Sequence, residues 1–188
     1  MSTGAAPVIA MAGRRVDAPD AKDPRFPAAN EELVAQRVRE FLERRGARAL
    51  VSSAACGADL IAQEAAAQLG LERRIVLPFE PSKFRITSVA DRPGDWGARF
   101  DAAVAGLSPA DLIILSSAAG DDDDAYARTN HAIFDAAARL AGADTAMEAL
   151  VVWNGASRGA GDLTLAFARE AESRSLRVNE ILTLDGTR

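Results

Sequence analysis

Small and polar residues follow several apolar runs of this sequence, and their types suit the binding of phosphate. The first group is Gly13-Arg14-Arg15, which comes after an apolar run at residues 7–12. Glycine lets a ligand approach the backbone closely, and either Arg14 or Arg15 could pair with a phosphate through two hydrogen bonds. The alternative is an ordinary turn with solvated arginines.

A second group, residues 52–59 with the sequence SSAACGAD, leads directly into a predicted helix. Its small side chains would expose backbone amides, and the start of a helix adds a partial positive charge, so phosphate is the expected occupant. Asp59 could instead satisfy the helix-end amides itself, or act as a catalytic carboxylate. The candidate ligand-binding residues of this loop are Ser52, Ser53, Gly57, Ala58 and Asp59.

A third group, residues 116–124, ends in four consecutive aspartates. They could coordinate Mg²⁺, and Asp121 could take part in catalysis, but charge runs are usually solvated loops and we predict no metal site. Tyr126 and Asn130 follow, four residues apart and therefore on one face of a predicted helix. There one of them could stack on a base or ribose while the other hydrogen-bonds it; an ordinary amphipathic helix is the alternative.

A fourth group, residues 153–164 with the sequence WNGASRGAGDLT, is rich in glycine and again opens a predicted helix. It predicts a second phosphate cradle. Two such loops in one protein favour a phosphorylated ligand more strongly than either loop alone. The candidate ligand-binding residues here are Asn154, Gly155, Gly161 and Thr164.

The elements that would position these loops are strands and helices in alternation. Continuous Val, Ile and Leu runs are typical of parallel strands covered on both faces, and only the last of six runs looks like an edge strand. The runs are residues 7–12, 49–53, 74–79, 111–116, 150–154 and 177–184. The helical patterns are residues 31–46, with Asn30 as the N-cap, and residues 57–69, 96–104, 126–140 and 162–173.

This alternation predicts a single α/β domain over residues 1–188. We expect a Rossmann-like, doubly wound and mostly parallel sheet of about six strands with helices on both faces. Ligands of such sheets bind beyond the carboxyl ends of the strands, near the point where the strand order reverses. Two long polar loops, residues 16–27 and 81–95, could serve as lids or binding loops.

The composition limits the chemistry further. The 188 residues carry a formal net charge of −5 and contain one cysteine and one histidine. An internal disulfide is excluded, a four-ligand Cys/His zinc site is not expected, and an acidic chain is a poor match for nucleic acid. No apolar run approaches the length that spans a bilayer, so we expect a cytoplasmic protein with no membrane partner.

Residues 50–66, LVSSAACGADLIAQEAA, resemble the Ser-Gly-Gly-Ala-x-Gly-Ala-Asp loop of the SLOG superfamily of Rossmann-like proteins. This superfamily groups the Lonely-guy nucleotide hydrolases with DNA-processing recombination mediators and bacterial nucleotide-sensor domains. Residues 126–141 are similar to its Arg-x-Asn helix, and residues 151–170 stand in the place of its late Gly-Gly-Thr loop. Residues 11–27 and 73–84 look closer still to a bacterial branch whose members occur alone or beside signalling modules.

The resemblance covers nearly all of the chain and implies a nucleotide site. Hydrolytic Lonely-guy members carry a catalytic Glu three residues after the Thr of their Gly-Gly-Thr motif. Phe167 stands at that position here, and Asp162 replaces the second glycine, so the resemblance does not carry their catalysis over. The residues that match the nucleotide site are Gly13, Arg14, Ser52, Ser53, Gly57, Ala58, Asp59, Asn130, Gly161 and Thr164.

The leading hypothesis is therefore binding or sensing of a nucleotide or nucleotide-derived ligand, either NAD- or ADP-ribose-like or a mononucleotide, with no firm cofactor. One alternative is an enzyme that cleaves or transfers at the N-glycosidic bond of a nucleotide, with Asp59 or Asp121 as its carboxylate. Another is a homodimeric interaction subunit. A dyad of Cys56 and His131, with a lowered thiol pKa, is a minor further alternative.

Overall fold

Six strands form one parallel sheet. The structure, a computed structural model, describes residues 6–115, 122–143 and 145–185. The strands are β1 (Val8–Gly13), β2 (Ala49–Ser52), β3 (Glu72–Leu77), β4 (Leu112–Ile114), β5 (Met147–Trp153) and β6 (Arg177–Leu182). Their order is β4-β3-β2-β1-β5-β6, and each adjacent pair is parallel. The predicted six-stranded, mostly parallel sheet is confirmed.

Helices cover both faces of this sheet. They are α1 (Glu31–Arg45), α2 (Ala58–Gln68), α3 (Pro81–Phe84), α4 (Trp96–Ala105), α5 (Asp122–Ala141) and α6 (Leu163–Ser173). α1, α2 and α4 pack on one face, and α5 and α6 pack on the other. The predicted Rossmann-like, doubly wound α/β fold is confirmed. Within the described ranges, no helix is long and apolar enough to cross a membrane.

The side chains of β1 show how one strand serves two cores. Successive residues of a strand point to opposite faces of the sheet. Ile9 and Met11 belong to the apolar cluster of α1, α2 and α4, whereas Val8 and Ala10 belong to the cluster of α5 and α6. All four are fully buried, so this central strand requires a continuous apolar run.

The prediction that only the last strand lies at an edge is wrong, because β4 forms the opposite edge of the sheet. The three residues of β4 are half-buried and pair with β3. An apolar run indicates that the two faces of a strand are covered. It carries no information on whether both edges of the strand are hydrogen-bonded.

The predicted helices are confirmed to within a few residues, but Asn30 has a different role. Asn30 stands just before α1, yet it makes no capping hydrogen bond, and its Nδ2 donates to the carbonyl oxygen of Thr183 at 3.0 Å. Glu31 and Glu32 supply negative charge to the first turn instead. Gly46, with a φ of 58°, ends the helix as expected.

The long loop predicted at residues 81–95 contains helical turns. α3 is followed by a π-helical turn, Arg85–Val89, a rare conformation that often occurs near functional sites. The carbonyl oxygen of Ser88 accepts a hydrogen bond from the amide of Cys56 at 3.1 Å, and the Ser88 hydroxyl lies 2.7 Å from the Tyr126 hydroxyl. These distant contacts hold the turn in place, so local sequence patterns could not predict it.

The strand order reverses at β1. From β1 the chain runs to β2 on one side, and it returns later to β5 on the other side. The carboxyl end of β1 therefore opens onto a crevice between two loops that lead in opposite directions. Doubly wound sheets bind their ligands at this position.

Candidate functional site

A cleft of about 410 Å³ opens at the carboxyl end of β1. Its lining includes residues 11–18, the loop between β2 and α2, and the N-terminal half of α5. The volume falls within the range of small-molecule sites in proteins. The cleft coincides with the crevice at the reversal of strand order.

Eight of the fourteen predicted ligand-binding residues line this cleft, and six do not. The eight are Gly13, Arg14, Arg15, Ser53, Asp59, Tyr126, Asn130 and Thr164. The six are Ser52, Gly57, Ala58, Asn154, Gly155 and Gly161. The contacts of each group explain this division.

Close packing between β1 and the start of α2 accounts for the small residues at this junction. A Cβ atom on Gly13 would lie 2.4 Å from the Cβ of Ala58, and one on Gly57 would lie 2.6 Å from the amide nitrogen of Val16. Gly57 also pairs with Arg15 in an antiparallel bridge, and Ala58 is fully buried. Gly57 and Ala58 therefore let two backbone segments approach each other, and they do not face the cleft.

The two serines after β2 take different positions. Ser52 is fully buried, its hydroxyl donates to the carbonyl oxygen of Ser53 at 2.6 Å, and it accepts from Nε2 of Gln63 at 2.9 Å. Ser53 lines the cleft. Ser52 thus supports the loop from behind, and Ser53 is the serine that a ligand can reach.

Asp59 lines the cleft from the first turn of α2 and is only 7% exposed. Its Oδ2 accepts a long hydrogen bond, 3.4 Å, from the amide of Ala55, while its Oδ1 has no hydrogen-bond partner among the described residues. Burial raises the pKa of Asp59 to about 7, although the nearby backbone amides and the charge of Arg15 oppose the rise. A buried oxygen without a donor is costly, so a donor on a bound ligand would be favoured here.

Arg14 uses its guanidinium inside the protein. Its Nη1 and Nη2 donate to the two carboxylate oxygens of Asp162 at 2.7 and 2.8 Å, and Nη2 also donates to the carbonyl oxygen of Ala156 at 2.8 Å. Arg14 and Asp162 are both buried. The paired hydrogen bonds that the sequence suggests for a phosphate are made here with a carboxylate. They join the end of β1 to the loop before α6.

Asp162 also caps α6. Its Oδ1 accepts from the amides of Thr164 and Leu165 at 3.0 and 3.2 Å, and its Oδ2 accepts from the amide of Arg158 at 2.7 Å. Burial favours a higher pKa for Asp162, but the hydrogen bonds from Arg14 and from backbone amides hold that pKa well below its ordinary value. The amides that the sequence offers to phosphate at this helix are thus bound to a carboxylate of the chain itself.

The other predicted residues of the loop before α6 support its path. Asn154 is half-buried, and its Oδ1 accepts from Nε of Arg14 at 3.4 Å. Gly155 and Gly161 are exposed and have φ values of 76° and 75°, which glycine adopts without strain. Thr164 lines the cleft from the first turn of α6.

Tyr126 and Asn130 line the cleft from one face of α5, in agreement with their spacing. The Tyr126 ring packs edge-on against Phe79, with centroids 5.8 Å apart, and its hydroxyl bonds to that of Ser88. Asn130 donates from Nδ2 to the carbonyl oxygen of Leu163 at 2.9 Å. Both side chains are therefore held in fixed orientations at the cleft.

Three arginines that the sequence analysis did not single out also line the cleft: Arg25, Arg92 and Arg158. Arg92 donates from Nε to the carbonyl oxygen of Val16 at 3.2 Å and from Nη1 to Asp91 at 2.6 Å. Arg25 and Arg92 belong to the two long polar loops, and Arg158 belongs to the glycine-rich loop. Arginine within a long loop is the signal that could have identified them.

The aspartate run lies only partly within the described residues. Asp121 lies outside the described residues, and Asp124 is exposed at the start of α5. Within the described part of the chain, no group of three or more His, Cys, Asp and Glu residues is arranged to hold a metal ion.

Cys56 and His131 do not form a dyad, so that alternative is wrong. Cys56 is fully buried on the α2 side of the sheet, where its Sγ accepts from Nε of Arg15 at 3.4 Å. Burial raises the pKa of its thiol, opposite to the expected lowering. His131 is exposed on α5, and its Nδ1 lies 2.7 Å from a carboxylate oxygen of Glu170 on α6.

The parallel sheet, its strand order and the cleft together define a Rossmann-like α/β protein with a crevice of ligand size. No family model matches the sequence, and a comparison with curated proteins gives no match. Among solved structures, the chain is similar to DNA processing protein A (DprA) from Streptococcus pneumoniae, with a TM-score of 0.53 and 16% sequence identity. The similarity covers 93% of this chain and 50% of that one, so the chain spans about half the length of DprA. At this identity the likeness shows the shared fold.

Proposed function

We propose that the cleft binds a nucleotide or a nucleotide-derived ligand, and that the protein is a binding or sensing module. The observation that carries the proposal is the lining of the cleft, which combines several arginines with the buried, unpartnered carboxyl oxygen of Asp59. Arginines suit phosphate, and a carboxyl oxygen accepts hydrogen bonds from ribose hydroxyls or base amino groups. Tyr126 adds an aromatic ring to the same lining.

Arg15 and Ser53 are the proposed partners of the first phosphate. Both line the cleft beside the start of α2, whose N-terminus adds partial positive charge. Arg15 is paired with Asp91 in an ion pair of which both side chains are about one-third exposed. Exposed ion pairs contribute little stability, so a ligand phosphate can take the place of Asp91 at low cost.

We also propose that the chain belongs to the SLOG superfamily. The motif resemblance supports this assignment, and so does the likeness of the fold to DprA, a DNA processing protein. The position of the 52–59 loop at the cleft supports it further. The net charge of −5 favours a small ligand over a nucleic acid as the occupant of the cleft.

Isothermal titration calorimetry with NAD, ADP-ribose, cyclic nucleotides and mononucleotides tests the proposal. At least one of them is expected to bind. Asp59→Asn is expected to weaken binding about tenfold, because an amide NH₂ replaces an acceptor oxygen. Glu172→Gln makes the same chemical change on the exposed surface of α6 and is expected to bind as the unmodified protein does.

A folded protein that binds no member of the panel would reject the proposal, and so would equal losses of affinity in the two variants. A single-stranded oligonucleotide in the same experiment tests nucleic acid as the alternative partner. Binding of the oligonucleotide alone would replace the small ligand with nucleic acid.

Hydrolysis at the N-glycosidic bond of a nucleotide is the second candidate function. The pKa of Asp59, about 7, favours it because the carboxyl group is then partly protonated near neutral pH. It could protonate the leaving base, and the water that adds at the anomeric carbon would return a proton to the Asp59 carboxylate. Against it, Phe167 at the position of the Lonely-guy catalytic Glu is fully buried. Chromatography after incubation with nucleotides decides between hydrolysis and binding. If no free base is released, hydrolysis is rejected and binding remains as the proposed function.

The predicted homodimer stays a prediction. The outer strands β4 and β6 are edges to which a second copy could add. Size-exclusion chromatography with light scattering measures the oligomeric state, and a strict monomer would remove the homodimeric interaction subunit from consideration.

A further inference from the structure

Arg25 and Arg158 line the cleft from two loops that lie far apart in the sequence. We infer that these two arginines form a second anion subsite, and that the ligand carries a diphosphate rather than a single phosphate. This inference rests on the proposed function, since it assigns the ligand class of the same cleft. It also selects among nucleotide ligands, favouring those with two linked phosphates over mononucleotides.

The backbone at Arg25 is held firmly. Its amide and that of Phe26 each donate to Oδ2 of Asp17 at 2.8 Å, and the amide of Asp17 donates back to the carbonyl oxygen of Phe26 at 2.9 Å. The hydroxyl of Thr183 donates to the carbonyl oxygen of Arg25. The side chain is thus presented from a fixed loop, and its guanidinium pairs at 3.1 Å with Asp23, whose side chain is 81% exposed. Because exposed ion pairs contribute little stability, a ligand phosphate can replace Asp23 as the partner of Arg25.

The backbone at Arg158 is also fixed, because its amide donates to the buried carboxylate of Asp162. The Arg158 side chain is exposed, and its guanidinium makes no hydrogen bond or ion pair with the described residues. Asp162 does not satisfy this guanidinium, since its two oxygens are bound to Arg14 and to backbone amides. Arg158 therefore faces the cleft with its hydrogen-bonding capacity unused.

The arginines around the cleft repel one another. Partial desolvation by the surrounding loops lowers the pKa of Arg158, although the residue is exposed overall, and the charges of Arg14, Arg25 and Arg15 lower it further. The charge of Asp162 opposes this lowering. Among the arginines of the cleft, Arg14 pairs with Asp162, Arg15 and Arg92 pair with Asp91, and Arg25 pairs with Asp23. Arg158 is therefore the arginine of the cleft that has no ion-pair partner among the described residues, and a bound anion would supply one.

Arg15 and the pair formed by Arg25 and Arg158 provide two sets of guanidinium donors in one cleft, and two sets match two phosphate groups better than one. Each guanidinium presents a planar fork of donors that pairs with one phosphate through two hydrogen bonds. Arg15 and Asp59 line the same cleft as Arg25 and Arg158, so one ligand can contact both the acidic and the basic parts of the lining. One phosphate on Arg15 and the next on Arg25 and Arg158 would join these two parts in one ligand.

Calorimetry with matched anions tests the subsite. The probes are AMP against ADP, and orthophosphate against pyrophosphate. We expect ADP to bind about tenfold more tightly than AMP, as charge-assisted hydrogen bonds to a second phosphate imply. In Arg25→Ala/Arg158→Ala the ratio of the ADP affinity to the AMP affinity should fall below about twofold. Arg169→Ala, at an exposed position on α6, is the matched control and should keep the full preference.

The outcomes separate the subsite from the proposed function. Equal affinities for AMP and ADP, or a preference for ADP that survives in the double variant, would overturn the subsite. If no nucleotide binds, the proposed function fails and the inorganic probes decide the subsite alone. A preference for pyrophosphate that disappears in the double variant upholds it, and no preference for pyrophosphate overturns it.

Discussion

The loops that lead into α2 and α6 have similar sequences and end in different structures. Both are rich in small residues, both follow a strand of the same sheet, and both place an aspartate at the start of a helix. At α6 the aspartate, Asp162, accepts hydrogen bonds from the amides of the first turn and from Arg14. At α2 the aspartate, Asp59, lines the cleft, and one of its oxygens is buried without a hydrogen-bond partner among the described residues.

One position in the helix accounts for the difference. Asp162 is the N-cap residue of α6, and a carboxylate at the N-cap reaches the amides two and three residues later. Asp59 is the second residue of α2, whose N-cap is Gly57, so its side chain does not take the N-cap position and instead lines the cleft. A glycine-rich loop before a helix therefore indicates an anion site only when the chain does not supply the anion itself.

The largest effect that tests this comparison is expected for Asp162→Ala. The substitution leaves the buried Arg14 without its carboxylate partner and removes the cap of α6. Breaking a buried ion pair by removing one partner costs about 3–5 kcal/mol of unfolding free energy. Chemical denaturation monitored by circular dichroism measures this loss.

Glu172→Ala, an exposed change near the other end of α6, is the control and should cost less than about 0.5 kcal/mol. Arg14→Met/Asp162→Asn should cost less than the sum of its two single changes, because it leaves no buried charge without a partner. A loss below about 1 kcal/mol in Asp162→Ala would show that the loop before α6 does not depend on its own carboxylate.

The sheet and its main helices could be predicted because their signals are local. Buried parallel strands need continuous apolar runs, and the helices between them show regular apolar spacing. The π-helical turn Arg85–Val89 has no such signal, since Cys56 and Tyr126 hold it from distant parts of the chain. The edge position of β4 was missed for a related reason: edges depend on strand order, which the runs do not encode.

The sequence could predict those residues of the site whose positions follow from the carboxyl ends of the strands alone. Gly13, Ser53 and Asp59 meet because neighbouring parallel strands end at the same edge of a sheet. Sequence could not show that Arg14 is bound to Asp162, which is 148 residues away. Nor could it place Arg25, whose loop is fixed by the hydroxyl of Thr183. Which charged side chains line the cleft thus depends on contacts that form only in the folded protein.

A smaller effect is expected on the unfolding free energy as the pH rises and Asp59 loses its proton. Its native pKa of about 7 lies above the unfolded value near 4, so the native state binds more protons between these pH values. Stability contributed by this group is therefore lost as the pH rises through that window. Relative to Asp59→Asn, the unfolding free energy of the unmodified protein should fall by about 3 kcal/mol between about pH 5 and about pH 8.

Denaturant titrations at several pH values measure this difference. Glu172→Gln, an exposed acid-to-amide change, is expected to give a stability curve parallel to that of the unmodified protein. If Asp59→Asn also ran parallel, Asp59 would be an ordinary carboxylate with a donor, and the contrast with Asp162 would lose its basis.

The smallest effect is the difference in unfolding free energy between alanine substitutions at a glycine of each loop. Gly57 and Gly159 have φ values of 107° and 93°, so alanine at either position is strained by about 1–3 kcal/mol. At Gly57 the added Cβ would also lie 2.6 Å from the amide nitrogen of Val16, whereas at Gly159 it would meet no atom within 4 Å. Overpacking against backbone adds about 1–3 kcal/mol, so Gly57→Ala should be less stable than Gly159→Ala by about 2 kcal/mol in denaturant unfolding. Equal losses would mean that β1 and α2 can separate without cost, and the close approach that places Asp59 at the cleft would not be fixed by Gly57.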